Sequence, residues 1–248
     1  MGMLLNQNIS LSNIATGIIP PITNGLEFYN LYNDASKLGR NFATGKPQAT
    51  VVGSPAFNGE SITCTNLGNY INTNVPQTQE MTILTIGQPT AVSGNFVHWS
   101  NYGSPITNGG TGLTSADFLR QSVSTGNPSL SLSYSDDSFA TRKILSYGIS
   151  SGADTIKLRA FATVFSQAGM TTRARDLTNA KVLVNAIPTS GVLSLAGTIL
   201  LGSHYTTVEA SAGNLFACMI FSRALSDAEI NTLYTSLKSY YAGKGISI

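Results

Sequence analysis

Short apolar runs separated by turn chemistry dominate the sequence, a pattern that predicts an antiparallel β-sandwich. Candidate strands are Leu26–Tyr32, Ser61–Thr65, Glu80–Gly87, Asn95–Ser100, Ser129–Ser135, Arg142–Ile149, Thr155–Ala160, Ala162–Gln167, Lys181–Asn185, Gly197–Leu201 and Asn214–Phe221. In Ser129–Ser135 the residues Leu130, Leu132 and Tyr134 alternate with four serines. One face is therefore expected in a core and the serine face in water. Ile156 and Leu158 alternate with Thr155, Lys157 and Arg159 in the same sense. Asn-Gly pairs at Asn24-Gly25, Asn58-Gly59 and Asn108-Gly109 suit tight turns with positive φ. The glycine-rich stretch Asn101–Thr114 predicts an exposed loop.

One segment follows a different period. Ser226 and Glu229 form a capping-box pattern, and Ile230, Leu233, Tyr234 and Leu237 then fall on one face of a helix over about 226–241. Lys238 and Lys244 suit the negative end of that helix, and Gly243 is placed to close it. Tyr240 and Tyr241 are expected to pack on the sheet or on a neighbouring subunit. Residues 1–24 carry scattered Leu and Ile without a period and end on Pro20-Pro21, which reads as an extended arm. The expected organisation is this arm followed by one sandwich domain over 25–248.

Composition narrows the function. Charged residues are only 10% and the net charge is +2, too dilute for a surface that tracks phosphates, so no nucleic acid partner is expected. No apolar stretch reaches the ~20 residues that cross a bilayer, so no membrane partner is expected either. The amino terminus lacks a basic region followed by an apolar core, which predicts synthesis in a cytoplasm without a secretory signal. Cys64 and Cys218 are expected as buried reduced thiols inside strands. A disulfide would require the first and last strands of a sheet to lie side by side.

The carboxy-terminal third carries a resemblance. Lys181–Pro188, Gly197–Gly202 and above all Phe221-Ser-Arg-Ala-Leu-Ser-Asp-Ala-Glu-Ile230 resemble concanavalin-A-like and laminin-G-like jelly rolls. Ala56–Glu60 and Glu80–Leu84 echo the amino-terminal strands of that family, so the likeness covers about residues 25–245. Asn185-Ala186 departs from the Asn-Gly hairpin turn usual there. The resemblance implies an all-β antiparallel jelly-roll sandwich with one short C-terminal helix. Standalone modules of this type occur in tailed-bacteriophage virions, as tail, baseplate, fibre or capsid-surface components. It thus implies a non-enzymatic virion protein, a homo-oligomer packed against other virion proteins. The alternative it implies is a carbohydrate-binding module that recognises a host-surface glycan.

Candidate chemistry is sparse. Glycoside hydrolysis needs two carboxylates about 5–10 Å apart. The five glutamates Glu27, Glu60, Glu80, Glu209 and Glu229 do not pair within one strand. His98 and His204 lie in no nucleophile motif, so no catalytic residue and no cofactor is expected. Asp136-Asp137 is the one acidic pair; it reads as a calcium-binding loop or as a solvated β-turn. Trp99, Asn101, Tyr102 and Tyr205 are the candidate sugar contacts, because aromatic faces suit sugar C–H faces and amides suit hydroxyls. Buried aromatics at these positions would speak for structure; exposed ones, for recognition.

Overall fold

The computed structural model describes residues 17–90, 94–109, 112, 118–122, 127–135, 142–148, 156–188, 190–207 and 211–248. Over these residues the chain is an all-β antiparallel sandwich with one C-terminal helix, as the apolar pattern predicts. The first sheet runs β13 (Lys181–Ala186), β12 (Thr171–Asp176), β11 (Arg159–Ser166), β6 (Glu80–Pro89), β16 (Gly213–Phe221), β4 (Ile62–Cys64) and β3 (Ala56–Phe57). The strand β1 (Leu26–Asn30) pairs with the far half of β16. The second sheet runs β10 (Arg142–Gly148), β9 (Pro128–Ser135), β8 (Phe118–Ser122), β7 (Asn95–Ser100), β15 (Thr198–Leu201), β5 (Tyr70–Pro76) and β2 (Thr50–Val52). The short β14 (Val192–Leu193) joins β9.

The first sheet is covered on both faces, and its central strands show why their apolar runs are continuous. In β6, Met81 and Ile83 enter the core between the sheets, while Leu84 and Ile86 join a second cluster beneath the helix α1 (Asp227–Gly243). Ile230, Leu233, Leu237, Tyr240 and Tyr241 of α1 are buried in that cluster, each large side chain contributing roughly 1.5–3 kcal/mol. The capping box forms at Ser226 and Glu229, and Arg223 holds the Glu229 carboxylate at 2.6 Å. The left-handed residue after the helix is Gly245, φ 74°, not Gly243, which is the last helical residue. Both tyrosines pack on their own sheet, with Tyr241 Oη donating to the Phe216 carbonyl at 2.8 Å.

Residues 17–24 of the expected arm lie against this same domain. Ile18 and Ile22 pack on the helix-side cluster, and Tyr29 Oη donates to the Ile18 carbonyl at 3.0 Å. Residues 1–16 lie outside the described residues. Cys64 and Cys218 are buried free thiols inside β4 and β16. Those two strands do lie side by side, but Cys64 pairs with Gly213, five positions from Cys218, so no disulfide forms. Burial pushes the Cys64 thiol up to about 12.

Three expectations are corrected. The serine face of β9 is not in water: Ser131, Ser133 and Ser135 are buried, with Ser131 Oγ on Ser146 Oγ at 2.9 Å. Residues 156–158 are turn and irregular backbone, and β11 starts only at Arg159. Arg159 turns inward, 1% exposed, to meet the buried Asp176 at 3.4 Å. Asn185-Ala186 forms no turn, because Ala186 still pairs with Thr171. The hairpin reverses instead at 177–180, where Asp176 accepts from Asn179 N and Nδ2 and Ala180 adopts φ 53°.

Candidate functional site

The candidate sugar contacts separate into two groups. Trp99 is fully buried in the inter-sheet core, its ring 5.5 Å from Phe165. Asn101 is also fully buried, with Nδ2 donating to Gln77 Oε1 at 2.7 Å. Neither can touch a ligand, a correction to the sequence reading. A bulge between Val97 and Trp99 turns the indole into the core, and Gln77 draws Asn101 in behind it. Tyr102 is half-buried and Tyr205 is 37% exposed. Asp136 and Asp137, the candidate calcium ligands, lie outside the described residues. So do residues 110, 111, 113 and 114 of the glycine-rich loop, whose start is tucked in at the buried Asn101 and Ser104.

Tyr102 and Tyr205 meet at one end of the second sheet. The Tyr205 amide donates to the Tyr102 carbonyl at 3.0 Å, and the Tyr102 ring lies 5.1 Å from the buried His204 ring. Tyr205 Oη sits 2.8 Å from Thr198 Oγ1 and donates to the Thr198 carbonyl at 2.9 Å. Thr198 Oγ1 in turn donates to Asn72 Oδ1 at 2.8 Å. Asn72 lies two positions from the half-buried Tyr70, so the two share the outer face of β5. Burial raises the Tyr205 phenol above its usual range, and the neighbouring Tyr70 adds to the shift, so Tyr205 stays a neutral donor and acceptor. Tyr70, Asn72, Thr198 and Tyr205 are thus neighbours, with Tyr102 joined to Tyr205 through its backbone; these five residues make up the candidate ledge.

The loops that carry it are fixed from below. Asn66 Nδ2 donates to the Thr206 carbonyl at 2.9 Å, while its Oδ1 accepts from His204 N at 2.8 Å and from Ser203 Oγ at 2.9 Å. Gly103, at φ 86°, brings the Tyr102 loop against Thr206: a Cβ there would lie 2.3 Å from Thr206 Cγ2. Sequence reasoning missed Asn66, Tyr70, Asn72 and Thr198. Only the period-two placement of Tyr70 and Asn72 within a run of polar alternation could have pointed to them.

The described acidic and histidine side chains are tied into the fold. Each described glutamate has a structural partner: Glu27 pairs with Lys46, Glu60 with Lys244 and Tyr240, Glu80 accepts the Ala168 amide, and Glu229 serves the helix cap. His98 is buried between Phe96 and Phe161, bonded to Gln121, and burial drives it down to about 3, which keeps it neutral. Among the described residues no three His, Cys, Asp or Glu side chains gather as metal ligands. No helix of the described residues is long and apolar enough to cross a membrane.

No protein-family model matches the chain. No curated protein matches it either. Solved structures do. The chain is similar to the botulinum neurotoxin serotype D binding domain, with a TM-score of 0.60 and 14% identity over 87% of this chain and 52% of that one. It is similar to the serotype D ligand binding domain in complex with N-acetylneuraminic acid, at TM-score 0.61 and 15% identity with the same coverages. The binding domain of botulinum neurotoxin DC in complex with SialylT gives TM-score 0.59 and 10% identity. The chain spans about half the length of these domains. At such identities the likeness is one of fold: a jelly-roll-like β-sandwich.

Proposed function

We propose that the chain is a non-catalytic carbohydrate-recognition module that holds an uncharged glycan on the Tyr70–Asn72–Tyr102–Thr198–Tyr205 ledge. The observation that carries this reading is Tyr205, an exposed aromatic whose hydroxyl is tied to Thr198 and whose loop is tied to Asn66. An aromatic face held in place loses little conformational freedom when a sugar stacks on it. The adjacent amide and hydroxyls supply the directional contacts that a ring of sugar hydroxyls needs. The five ledge residues carry no charge, so nothing among them pairs with a sugar carboxylate, which favours neutral glycans over acidic ones. Two of the similar solved structures hold sialic-acid-type ligands, which supports glycan binding as a use of this fold while leaving the sugar to this chain's own residues.

A glycan array probed with the labelled chain, followed by titration of the best neutral hit, tests the reading. Tyr205→Ala is expected to weaken binding by roughly tenfold, the loss of about 1.4 kcal/mol of stacking and contact. Tyr205→Phe, which keeps the ring, is expected to retain most of it. A folded chain that binds no glycan, or binds one equally after Tyr205→Ala, would overturn the proposal.

A further inference from the structure

Among the described residues the first sheet ends on β13. β12 is the one strand that pairs with β13 among the described residues, in an unbroken six-pair register without a bulge. Val182 is 50% exposed and Val184 53%, both beside β12 on the helix-side face of the sheet. Sheets usually blunt an edge with a central lysine, a proline, a bulge or a very short strand. The opposite edge does so, since β3 has two residues. The neighbouring edge β10 carries an exposed Lys143. β13 uses none of these devices: its sole charge, Lys181, stands at its first position.

We propose that β13 pairs antiparallel with β13 of a second copy of this chain, joining two eight-stranded sheets across a two-fold axis. The occupant is a second copy because the strand is complementary to itself. With the axis at Leu183, Val182 of each copy lies opposite Val184 of the other, and Lys181 lies opposite the neutral Asn185. The two lysines are thus kept at opposite ends, and no like charges face each other. Set back by one strand, Arg173 and Arg175, which pair with Val184 and Val182, are turned to the helix side, where both contact the single Asp227 carboxylate. The seam therefore joins apolar side chains and edge backbone groups with no like charges directly opposite each other.

Sedimentation of the full chain against concentration tests this. The wild-type chain is expected at twice its 26.1 kDa mass, and Val184→Lys at 26.1 kDa with the melting temperature of wild type diluted to monomer, since Val184 is half exposed. Leu183→Cys is expected to cross-link to itself on oxidation, because residues opposed on a two-fold lie ~4.5–5.5 Å apart at Cα. Ile144→Cys on β10, 50% exposed and so more accessible than the half-buried Leu183, serves as the control that should not. A wild-type monomer up to ~100 µM, a dimer that survives Val184→Lys, cross-linking at 144 but not at 183, or an open-ended ladder of oligomers would each overturn the pairing. None of these readouts depends on glycan binding.

Discussion

Asn66 touches no proposed ligand, yet the geometry makes it the support of the Tyr205 loop, and Asn66→Ala is the sharpest test of that role. The side chain makes three hydrogen bonds to residues 203, 204 and 206, between 2.8 and 2.9 Å. At 0.5–1.5 kcal/mol net each, these sum to roughly 1.5–4.5 kcal/mol. Asn66 is half-buried, so water can replace the bond to Thr206; the amide of fully buried His204 is harder to rescue. About 2–3 kcal/mol is the resulting expectation, a melting-temperature loss of roughly 5–10 °C for a chain of this size. Urea unfolding and calorimetry would measure it. Asn66→Asp keeps the acceptor for His204 N and Ser203 Oγ but loses the donor to Thr206, so it should cost about half as much. A loss below 0.5 kcal/mol for Asn66→Ala, or a larger loss for Asn66→Asp than for Asn66→Ala, would refute the reasoning.

Two further outcomes follow from the buried polar groups. Asp176→Ala leaves Arg159, 1% exposed, without its carboxylate, and should cost about 3–5 kcal/mol, while Arg159→Met with Asp176→Leu should cost much less. Denaturant titrations of the three chains decide it, and equal losses would dismiss the pair as a unit. His98 has a folded pKa near 3 against an ordinary 6.5, so the unfolded chain takes up a proton that the folded chain refuses. Stability is therefore complete above pH 6.5 and should fall as pH drops from there toward 3, at up to ~1.4 kcal/mol per pH unit from this one group. Stability measured from pH 7 to 4 should show that fall, with His98→Gln flattening it. An unchanged slope in the variant would assign the acid sensitivity elsewhere.

What the sequence disclosed and what it hid have the same physical origin. Strands buried on at least one face wrote themselves in apolar letters, so β6, β7, β9 and β16 were legible almost to the residue. The helix was legible because a capping box and a 3.6-residue period coincide at 226–237. β5 and β12 escaped because their outward positions are Asn, Thr and Arg. They make a strand only once neighbours supply the ladder: Asn74 at φ 58° rests on the Gln48 carbonyl, and Arg173 and Arg175 reach α1. The site was half legible. Residue type identified aromatics, but the side of the sheet each faces depends on register, and the bulge beside Trp99 reversed the expectation there. Thr198 and Asn72 come from strands far apart in sequence, and no local pattern announces their pairing. The virion setting rested on resemblance alone, and nothing in the fold or its similar structures bears on it.

The two proposals constrain each other through the strand order. Tyr147 Oη on β10 bonds Thr172 on β12, so β10 and β13 form one flank of the sandwich. The ledge draws on β5 and β15, toward the other end of the second sheet. Five strand spacings of ~4.8 Å place β5 about 24 Å from β10. A dimer joined at β13 would therefore hold its two ledges apart, on opposite flanks and free of the seam. A shallow, uncharged ledge binds one sugar weakly, but two held rigidly on one body convert the second contact into an intramolecular step, a gain of up to ~10²–10⁴ on a surface that presents many copies. It follows that Val184→Lys should leave affinity for a soluble monovalent sugar unchanged while sharply lowering retention on a dense glycan surface. Tyr205→Ala should lower both. Equal retention of Val184→Lys and wild type on the dense surface would mean that each ledge acts alone, whatever the chain's oligomeric state.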